Sequence, residues 1–293
     1  MLAFVDANRI AHQLLDARAL SQQLPPFSTA RDLSIDDAYL ISKCIMDLRS
    51  ARGERLAGKK IDFTNRKVWS CFGADEALHG PIWAPLFEST VRYAVDNMGV
   101  QSLTGAVQPR IEPEIVFGLR KTPSPDADLS AIVDCIDWMA HGVEITVCPY
   151  PGWKFNATDA IAAFGLHGTL IIGERTPLPR VARHNLPALL AAGSVSLSCS
   201  GDEIFTLRGA GFGCDVFGSP VHALLQLHRQ LGAQPEFPAL AAGDVVATGS
   251  WTNPFPVEPG QRWVTAFSGL TLPGLSIEFV SNRAPRGTHR YAV

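Results

Sequence analysis

Short runs of β-branched and aromatic residues, separated by glycine and proline turns, occupy the chain from Arg55 onward. Runs of this length and composition are typical of strands in a β-rich domain. Before them, apolar residues at helical spacing predict helices over about 6–22 and 35–51. Many short strands with few helices favour a roll or an open barrel. The sequence therefore predicts an α+β protein, with a helical region at 1–54 and a β-rich domain at 55–293.

The β-rich region can be divided further into individual elements. Ten strands are predicted in it, at 55–63, 89–94, 111–119, 143–148, 168–173, 195–199, 204–207, 244–248, 262–267 and 274–280. Helices are predicted at 129–140 and 219–232, with one short helical turn at 158–164. In the N-terminal region, Ser34 and Asp37 are three residues apart, as in a capping box that starts a helix.

The bulk composition excludes several classes of protein. The chain has 293 residues, of which 46% are hydrophobic and 18% charged, as in an ordinary globular protein. Its net charge of −3 and the lack of a basic stripe argue against a nucleic-acid partner. No apolar run is long enough to cross a membrane, and Asp6 interrupts any apolar signal segment. The six cysteines form no C-x-x-C pair, which predicts reduced thiols in a cytoplasmic protein.

Three glutamates in two predicted strands are the candidate site. Glu112 and Glu114 are two residues apart, so a strand would project both carboxylates from one face. Glu144 lies in a β-branched run that is typical of a buried strand, where an unpaired carboxylate is costly. Such a group needs a compensating cation, and oxygen ligands of this kind suit Mg²⁺. The alternative is that the glutamates lie on exposed strand faces and bind nothing.

Five stretches of the chain carry motifs of a known superfamily. In order, they are 58–65, 108–117, 142–145, 211–220 and 243–250. This order resembles the fumarylacetoacetate hydrolase superfamily, in particular the branch that holds 2-keto-4-pentenoate hydratase and 4-oxalocrotonate decarboxylase. The most specific match is 108–117, which is similar to the motif Gln-Pro-Arg-Ile-Glu-x-Glu of that branch. The resemblance implies the roll or open barrel of this superfamily, preceded by helices.

The resemblance also implies roles for particular side chains. Glu112, Glu114 and Glu144 would be ligands of Mg²⁺ or Mn²⁺, and Lys60 would lie beside the bound substrate. Strand alternation sends Lys59 and Lys60 to opposite faces, so only one of the two lysines can point inward. The substrates of this branch are small 2-oxo or 2-hydroxy acids, whose carboxylate and neighbouring oxygen can chelate a metal together.

The resemblance implies a metal-dependent lyase, either a hydratase or a decarboxylase, and leaves two further alternatives open. Hydration of a 2-hydroxydienoate is favoured over decarboxylation of a 2-oxo-3-enedioate, although both develop negative charge on the same C2 oxygen, which a dication stabilises. A C–C hydrolase of the acylpyruvate type and a non-catalytic relative that binds 2-oxo acids are the other two. The resemblance further implies a homo-oligomer that can associate with another enzyme of its pathway.

The chain departs from the hydratase pattern where a proton carrier is expected. The aspartate of a Pro-Asp-Phe-Gly segment is replaced by Leu78. His79 could supply the missing acid or base, because histidine titrates near neutral pH. Glu76, three residues earlier, could orient His79 if this stretch is helical. The alternative is that His79 is an exposed loop residue.

Four other positions are predicted near the pocket. Phe164 stands where the family has a polar residue and would narrow the substrate site. Asp159 would either hydrogen-bond a metal-bound water or cap a helix. Thr248 lies in the Gly-Asp-x-x-x-Thr-Gly motif and would contact substrate. Asp62 replaces a glycine of the lysine strand and is expected to alter the nearby turn.

Overall fold

A computed structural model describes residues 2–65, 81–200 and 204–281 of the chain. The helices in these ranges are α1 (Phe4–Ala19), α2 (Ile35–Ala51), α3 (Leu129–Cys135), α4 (Ala157–Ala162), α5 (Arg180–Arg183), α6 (Leu186–Ala192) and α7 (Pro220–Gly232). The strands are β1 (Leu56–Asp62), β2 (Ile82–Phe87), β3 (Val91–Tyr93), β4 (Met98–Ser102), β5 (Arg110–Leu119), β6 (Ile136–Thr146), β7 (His167–Ile172), β8 (Thr176–Pro177), β9 (Ser194–Ser200), β10 (Thr206–Phe212), β11 (Val245–Ala247), β12 (Phe255–Pro256), β13 (Arg262–Ser268) and β14 (Ser276–Val280).

The strands form two mixed sheets. The larger sheet has the order β2-β1-β11-β5-β6-β7-β3, with β12 beside β5 and β8 beside β6. The smaller sheet has the order β10-β9-β13-β14-β4. In the larger sheet β5 and β6 are long antiparallel neighbours, whereas β1 and β11 run parallel. The predicted α+β class is confirmed by this arrangement.

Strand alternation gives the larger sheet two different faces. On one face, Ile115 and Phe117 of β5 pack against the helices, while Ile111 of the same strand packs against the smaller sheet. On the other face, Val116 joins a small apolar cluster with residues such as Leu170. This second face also carries the candidate glutamates of β5 and β6, because they alternate with the core residues. The candidate site therefore lies on this second face of the larger sheet, next to the apolar cluster.

The N-terminal helices pack against the same core as the sheet. Helix α2 covers Ile35–Ala51, as predicted, and the capping box of Ser34 and Asp37 is present with both of its hydrogen bonds. Apolar residues of α1 and α2 belong to one buried cluster with Ile61 of β1 and Trp83 of β2. The division of the chain between residues 54 and 55 stays a prediction.

The helix predicted at 129–140 is wrong in its second half. Helix α3 ends at Cys135, and from Ile136 onward the chain is strand β6. The reason is tertiary: residues from Ile136 to Thr146 pair with the whole length of β5, and this ladder outweighs local helical spacing. The strand predicted at 143–148 is accordingly the C-terminal half of a longer strand.

Several other strands also differ from the prediction, and β4, β8 and β12 were not predicted. Strand β2 was not predicted either; it contains Pro85, which is tolerated because this strand lies at the edge of its sheet. Strand β10 was predicted at 204–207 but covers Thr206–Phe212. It includes Gly211, whose added Cβ would lie 1.6 Å from the carbonyl oxygen of Trp251. Only glycine allows the two backbones to approach this closely.

Candidate metal and substrate site

Glu112 and Glu144 face each other across the central strand pair. They are directly opposite in the antiparallel register of β5 and β6, and Glu114 is two residues further along β5. Directly opposite side chains on one face lie close together, and Glu114 projects from the same face of β5 as Glu112. All three are buried. The two predicted strands thus bring the predicted acids together.

Lys60 reaches this group from a strand that is not adjacent to it. In a flat sheet, β1 and β6 would be separated by three strand spacings, about 14 Å, with side chains perpendicular to the sheet. Yet Lys60 Nζ lies 2.8 and 2.7 Å from the two carboxylate oxygens of Glu144. The sheet must therefore curl around the site, as in an open barrel, so that Lys60 points into its hollow.

Lys59 points to the opposite face, as strand alternation predicts. Its Nζ donates to Asp244 Oδ2 at 2.7 Å and to the carbonyl oxygen of Ala239 at 3.0 Å. Lys60 is fully buried and also donates to the carbonyl oxygen of Gly165 at 2.9 Å. Both lysines are therefore buried and paired with a carboxylate, but only Lys60 contacts the acidic group.

Glu144 is an ionised carboxylate with several partners. Burial alone would raise its pKa, but Lys60 and His167 lower the pKa of Glu144 below its ordinary value. His167 Nδ1 lies 2.6 Å from Glu144 Oε1, and burial lowers the pKa of His167. The neutral imidazole therefore donates its Nδ1 proton to Glu144. Lys60 and His167 together fix the orientation of this carboxylate.

Glu112 and Glu114 each have an oxygen without a hydrogen-bond partner. These atoms are Glu112 Oε2 and Glu114 Oε1. The other oxygen of Glu114 accepts from the backbone N–H of Gly249 at 2.9 Å. Burial, and then neighbouring carboxylates, raise the pKa of both glutamates well above the ordinary value. Buried carboxylate oxygens without donors are what a hard cation needs as ligands, so the group fits a divalent metal.

Asp62 is a further member of the acidic group. Asp62, Glu112 and Glu144 each offer one carboxylate oxygen, and these oxygens lie within 4.8 Å of one another. Asp62 Oδ2 is also 3.0 Å from Lys60 Nζ. From the sequence, Asp62 was predicted only to alter a turn, and its place in the acidic group was missed. The missed signal was strand alternation, since Asp62 is two residues after Lys60 and projects from the same face.

A pocket opens beside the acidic group. Its lining combines carboxylates, hydroxyl and amide groups with aromatic rings. The lining residues are Asp62, Phe63, Thr64, Asn65, Glu112, Thr146, Trp153, Phe155, Leu166, Ser250, Thr252 and Pro254. Such a lining suits a small molecule with a polar head and a short apolar tail.

The remaining predicted site residues have other positions. Thr248 Oγ1 donates to the carbonyl oxygen of Ile115 at 2.8 Å, so its hydroxyl is engaged by β5. Asp159 accepts from the N–H of Asn156 at 3.0 Å, which is its predicted capping alternative. Phe164 stacks on Phe87 at 5.8 Å and lines a different pocket, next to α1 and α2.

Three residues singled out in the sequence have no described position. Glu76, Leu78 and His79 lie outside the described residues. The predicted replacement of the family aspartate by His79, oriented by Glu76, therefore stays a prediction.

Gly249 holds Glu114 in place, and its substitution should be costly. Its φ is +96°, and an added Cβ would lie 2.1 Å from Thr64 Oγ1. We expect Gly249→Ala to destabilise the protein by roughly 2–3 kcal/mol, through backbone strain and the displaced hydrogen bond to Glu114. Gly260→Ala is the matched control, because its φ is +89° but no atom lies within 4 Å of the added Cβ. Urea unfolding of both variants measures the difference; equal losses would contradict the steric argument.

Comparison with known proteins supports this description of the fold. The structure is similar to that of 4-oxalocrotonate decarboxylase from Pseudomonas putida G7 complexed with magnesium and adipate. The TM-score is 0.82 at 22% identity, over 96% of this chain and 99% of that one. Other solved structures with this fold are fumarylacetoacetate hydrolase family proteins. The chain thus has the fold of these proteins, as the sequence predicts.

Sequence comparison with curated proteins defines the branch. The chain is 30% identical to 2-hydroxyhexa-2,4-dienoate hydratase of Comamonas testosteroni over 265 residues, 89% of this chain and 92% of that protein. It is 26% identical to a 4-oxalocrotonate decarboxylase of a Pseudomonas species, over 86% of this chain and 91% of that protein. The chain belongs to the 2-keto-4-pentenoate hydratase and 4-oxalocrotonate decarboxylase family and is an enzyme of this kind.

Other comparisons add less. A search of protein-family models gives no match. Among the described helices, none is long and apolar enough to cross a membrane. The cytoplasmic location, the homo-oligomer and its association with a pathway enzyme stay predictions.

Proposed function

We propose that the protein hydrates a short 2-hydroxydienoate with the help of Mg²⁺. The observation that carries this proposal is the opposed pair Glu112 and Glu144, which faces Lys60 beside an open pocket. Glu112, Glu114 and Glu144 would hold the dication. When bound, it would act as a Lewis acid and stabilise negative charge that develops on the C2 oxygen of the substrate.

Lys60 acts in this proposal as a fixed positive charge. Burial opposes its charge, but Asp62 and Glu144 raise the pKa of Lys60 above its ordinary value, so it stays protonated. An ammonium held in this state cannot serve as a base. Its position beside Glu144 adds electrostatic stabilisation for an anionic substrate head, and its hydrogen bonds keep it from moving away.

The pocket lining favours the hydratase over the decarboxylase. A 2-oxo-3-enedioate carries a second carboxylate, which a cation at the far end of the pocket would bind most strongly. Among the described residues that line the pocket, none is lysine or arginine, whereas aromatic rings of Trp153 and Phe155 are present. An uncharged dienoate tail suits such a surface better than a second carboxylate does. The decarboxylase remains the second candidate because the solved structure with a TM-score of 0.82 is a 4-oxalocrotonate decarboxylase.

A small substrate panel with Mg²⁺ present tests the proposed function. Loss of absorbance from a 2-hydroxydienoate without release of CO₂ would support hydration. Release of CO₂ from 2-oxo-3-hexenedioate would instead identify a decarboxylase, and pyruvate from an acylpyruvate would identify a C–C hydrolase. Metal-dependent binding of oxalate without any turnover would identify a non-catalytic relative and overturn the proposal.

Dication binding should depend on pH in a defined direction. Because the pKa values of Glu112 and Glu114 are raised by folding, the folded protein holds more protons than the unfolded chain above the ordinary pKa of glutamate. The metal-free protein therefore loses stability as the pH rises from the ordinary pKa of glutamate to the raised pKa of Glu112 and Glu114. A bound dication offsets this loss. We expect Mg²⁺ to raise the melting temperature more at about pH 8 than at about pH 5.5, measured against EDTA controls. An equal rise at both values would contradict the assignment.

A further inference from the structure

Asp62 is oriented toward the acidic group by a hydrogen bond and an ion pair. Its Oδ1 accepts from the N–H of Phe63 at 2.7 Å, where the strand ends with a φ of +55°. Its Oδ2 pairs with Lys60 Nζ at 3.0 Å. The side chain is 18% exposed and lines the pocket, whereas the side chain of Glu144 is 1% exposed. Asp62 therefore contacts the buried residues of the acidic group and is also accessible from the pocket.

The charges at the site leave Asp62 without full compensation. Lys60 carries one positive charge and already contacts both oxygens of Glu144. Four carboxylates, those of Asp62, Glu112, Glu114 and Glu144, surround this one ammonium, so the group is strongly negative when ionised. Repulsion by Asp62 contributes to the raised pKa of Glu112. A dication bound between Asp62 and Glu112 would attract both carboxylates and offset their repulsion.

The oxygen positions match a shared dication. Ligand oxygens around one Mg²⁺ at about 2.1 Å lie about 3 to 4 Å apart, and those around Ca²⁺ lie somewhat further apart. The oxygens of Asp62, Glu112 and Glu144 are within 4.8 Å of one another without any ion. Glu112 Oε2 is buried and has no hydrogen-bond partner, which is an independent sign that a cation belongs here.

We propose that Asp62 is a direct ligand of the same dication as Glu112 and Glu144. The chain would then hold its metal with one carboxylate more than the three that its Glu-x-Glu and Glu144 motifs predict. This inference rests on the metal of the proposed function but not on the reaction catalysed. The consequence is a tighter site, with one coordination position fewer for water or substrate. An extra charged ligand leaves fewer positions for the waters that Mg²⁺ usually keeps, and it also suits Ca²⁺, which accepts about six to eight oxygens.

Mn²⁺ affinity measured by electron paramagnetic resonance and calorimetry tests the ligand role. We expect Asp62→Asn and Asp62→Ala to weaken Mn²⁺ binding by at least about tenfold, since even outer partners of metal ligands are worth that much. Lys60 keeps its bonds to Glu144 and Gly165 in both variants, so the fold should survive, as circular dichroism would show. Asp126→Asn, at an exposed loop position, is the control and should bind normally.

The outcomes separate this inference from the proposed function. Affinities of both Asp62 variants within about twofold of the unmodified protein would make Asp62 only a counter-ion of Lys60 and overturn the inference. A crystal structure with Mn²⁺ should place an Asp62 oxygen within about 2.6 Å of the ion; a longer distance would also overturn it. If the protein binds Mn²⁺ through Asp62 but turns over no dienoate, the proposed reaction fails and the ligand assignment stands. No Mn²⁺ binding at all would overturn both.

Discussion

Glu112→Gln should remove dication binding and at the same time stabilise the metal-free protein. Glutamine has nearly the same shape but is a weaker metal ligand, so affinity is expected to fall at least about 100-fold. Glu112 is buried, one of its oxygens has no donor, and its pKa is raised by burial and by neighbouring carboxylates. Removing this charge relieves the repulsion, so the melting temperature without metal should rise by about 2 °C at neutral pH.

The pairing of these two effects is what makes the prediction specific. A residue that merely supports the fold would lower both stability and affinity when substituted. The sign of the stability effect follows from the raised pKa: an acid that is harder to ionise in the folded state destabilises that state above its unfolded pKa. Calorimetry with Mg²⁺ and thermal unfolding in EDTA measure the two quantities. Glu278→Gln, at an exposed position of β14, should change neither. A destabilised Glu112→Gln variant with normal affinity would contradict the site.

Local sequence signals predicted much of the fold. Helix α2 has a capping box and regular apolar spacing, and its bounds were predicted correctly. Strand β5 was also predicted to within one residue, because its β-branched residues alternate with the two glutamates. In contrast, β2 contains Pro85, and the start of β6 has helical spacing. Both segments become strands only by pairing with β1 and β5, which are contacts that no local pattern encodes.

The candidate site shows the same division between local and long-range information. The two-residue spacing of Glu112 and Glu114 was enough to predict that their carboxylates share a face. The contact of Lys60 with Glu144 joins residues 84 positions apart and depends on the curl of the whole sheet. Phe164 was predicted from motif alignment alone, and its ring lines another pocket. Rules about neighbouring residues thus predict which side chains share a strand face, but not which faces meet.

Lys60→Met should nearly abolish activity and strongly destabilise the protein. The substitution removes the buried ammonium that contacts both oxygens of Glu144. A buried carboxylate left without its cation costs about 3–5 kcal/mol, and the hydrogen bond from His167 Nδ1 offsets none of this loss because it is already present in the unmodified protein. Loss of a fixed positive charge at the substrate head should lower kcat/KM by about 10²–10³. Unfolding in urea and steady-state kinetics with a 2-hydroxydienoate measure the two effects.

Lys59→Met is the matched control for this variant. Lys59 is also buried and forms an ion pair with Asp244 at 2.7 Å, but it points to the opposite face of β1. The Lys59→Met protein should therefore lose stability with little change in kcat/KM for molecules that remain folded. A similar loss of activity in both lysine variants would show that the kinetic effect of Lys60 is merely a consequence of reduced stability.

The double variant Lys60→Met/Glu144→Gln tests whether the stability lost in Lys60→Met comes from the unpaired charge of Glu144. Because the introduced glutamine carries no charge, the unpaired buried carboxylate that destabilises Lys60→Met is absent, and most of the lost stability should return. Activity should stay at least about 10²-fold reduced, since neither the ammonium nor the metal-binding carboxylate is restored. If stability were not recovered, the cost of Lys60→Met would lie in lost packing rather than in the charge of Glu144.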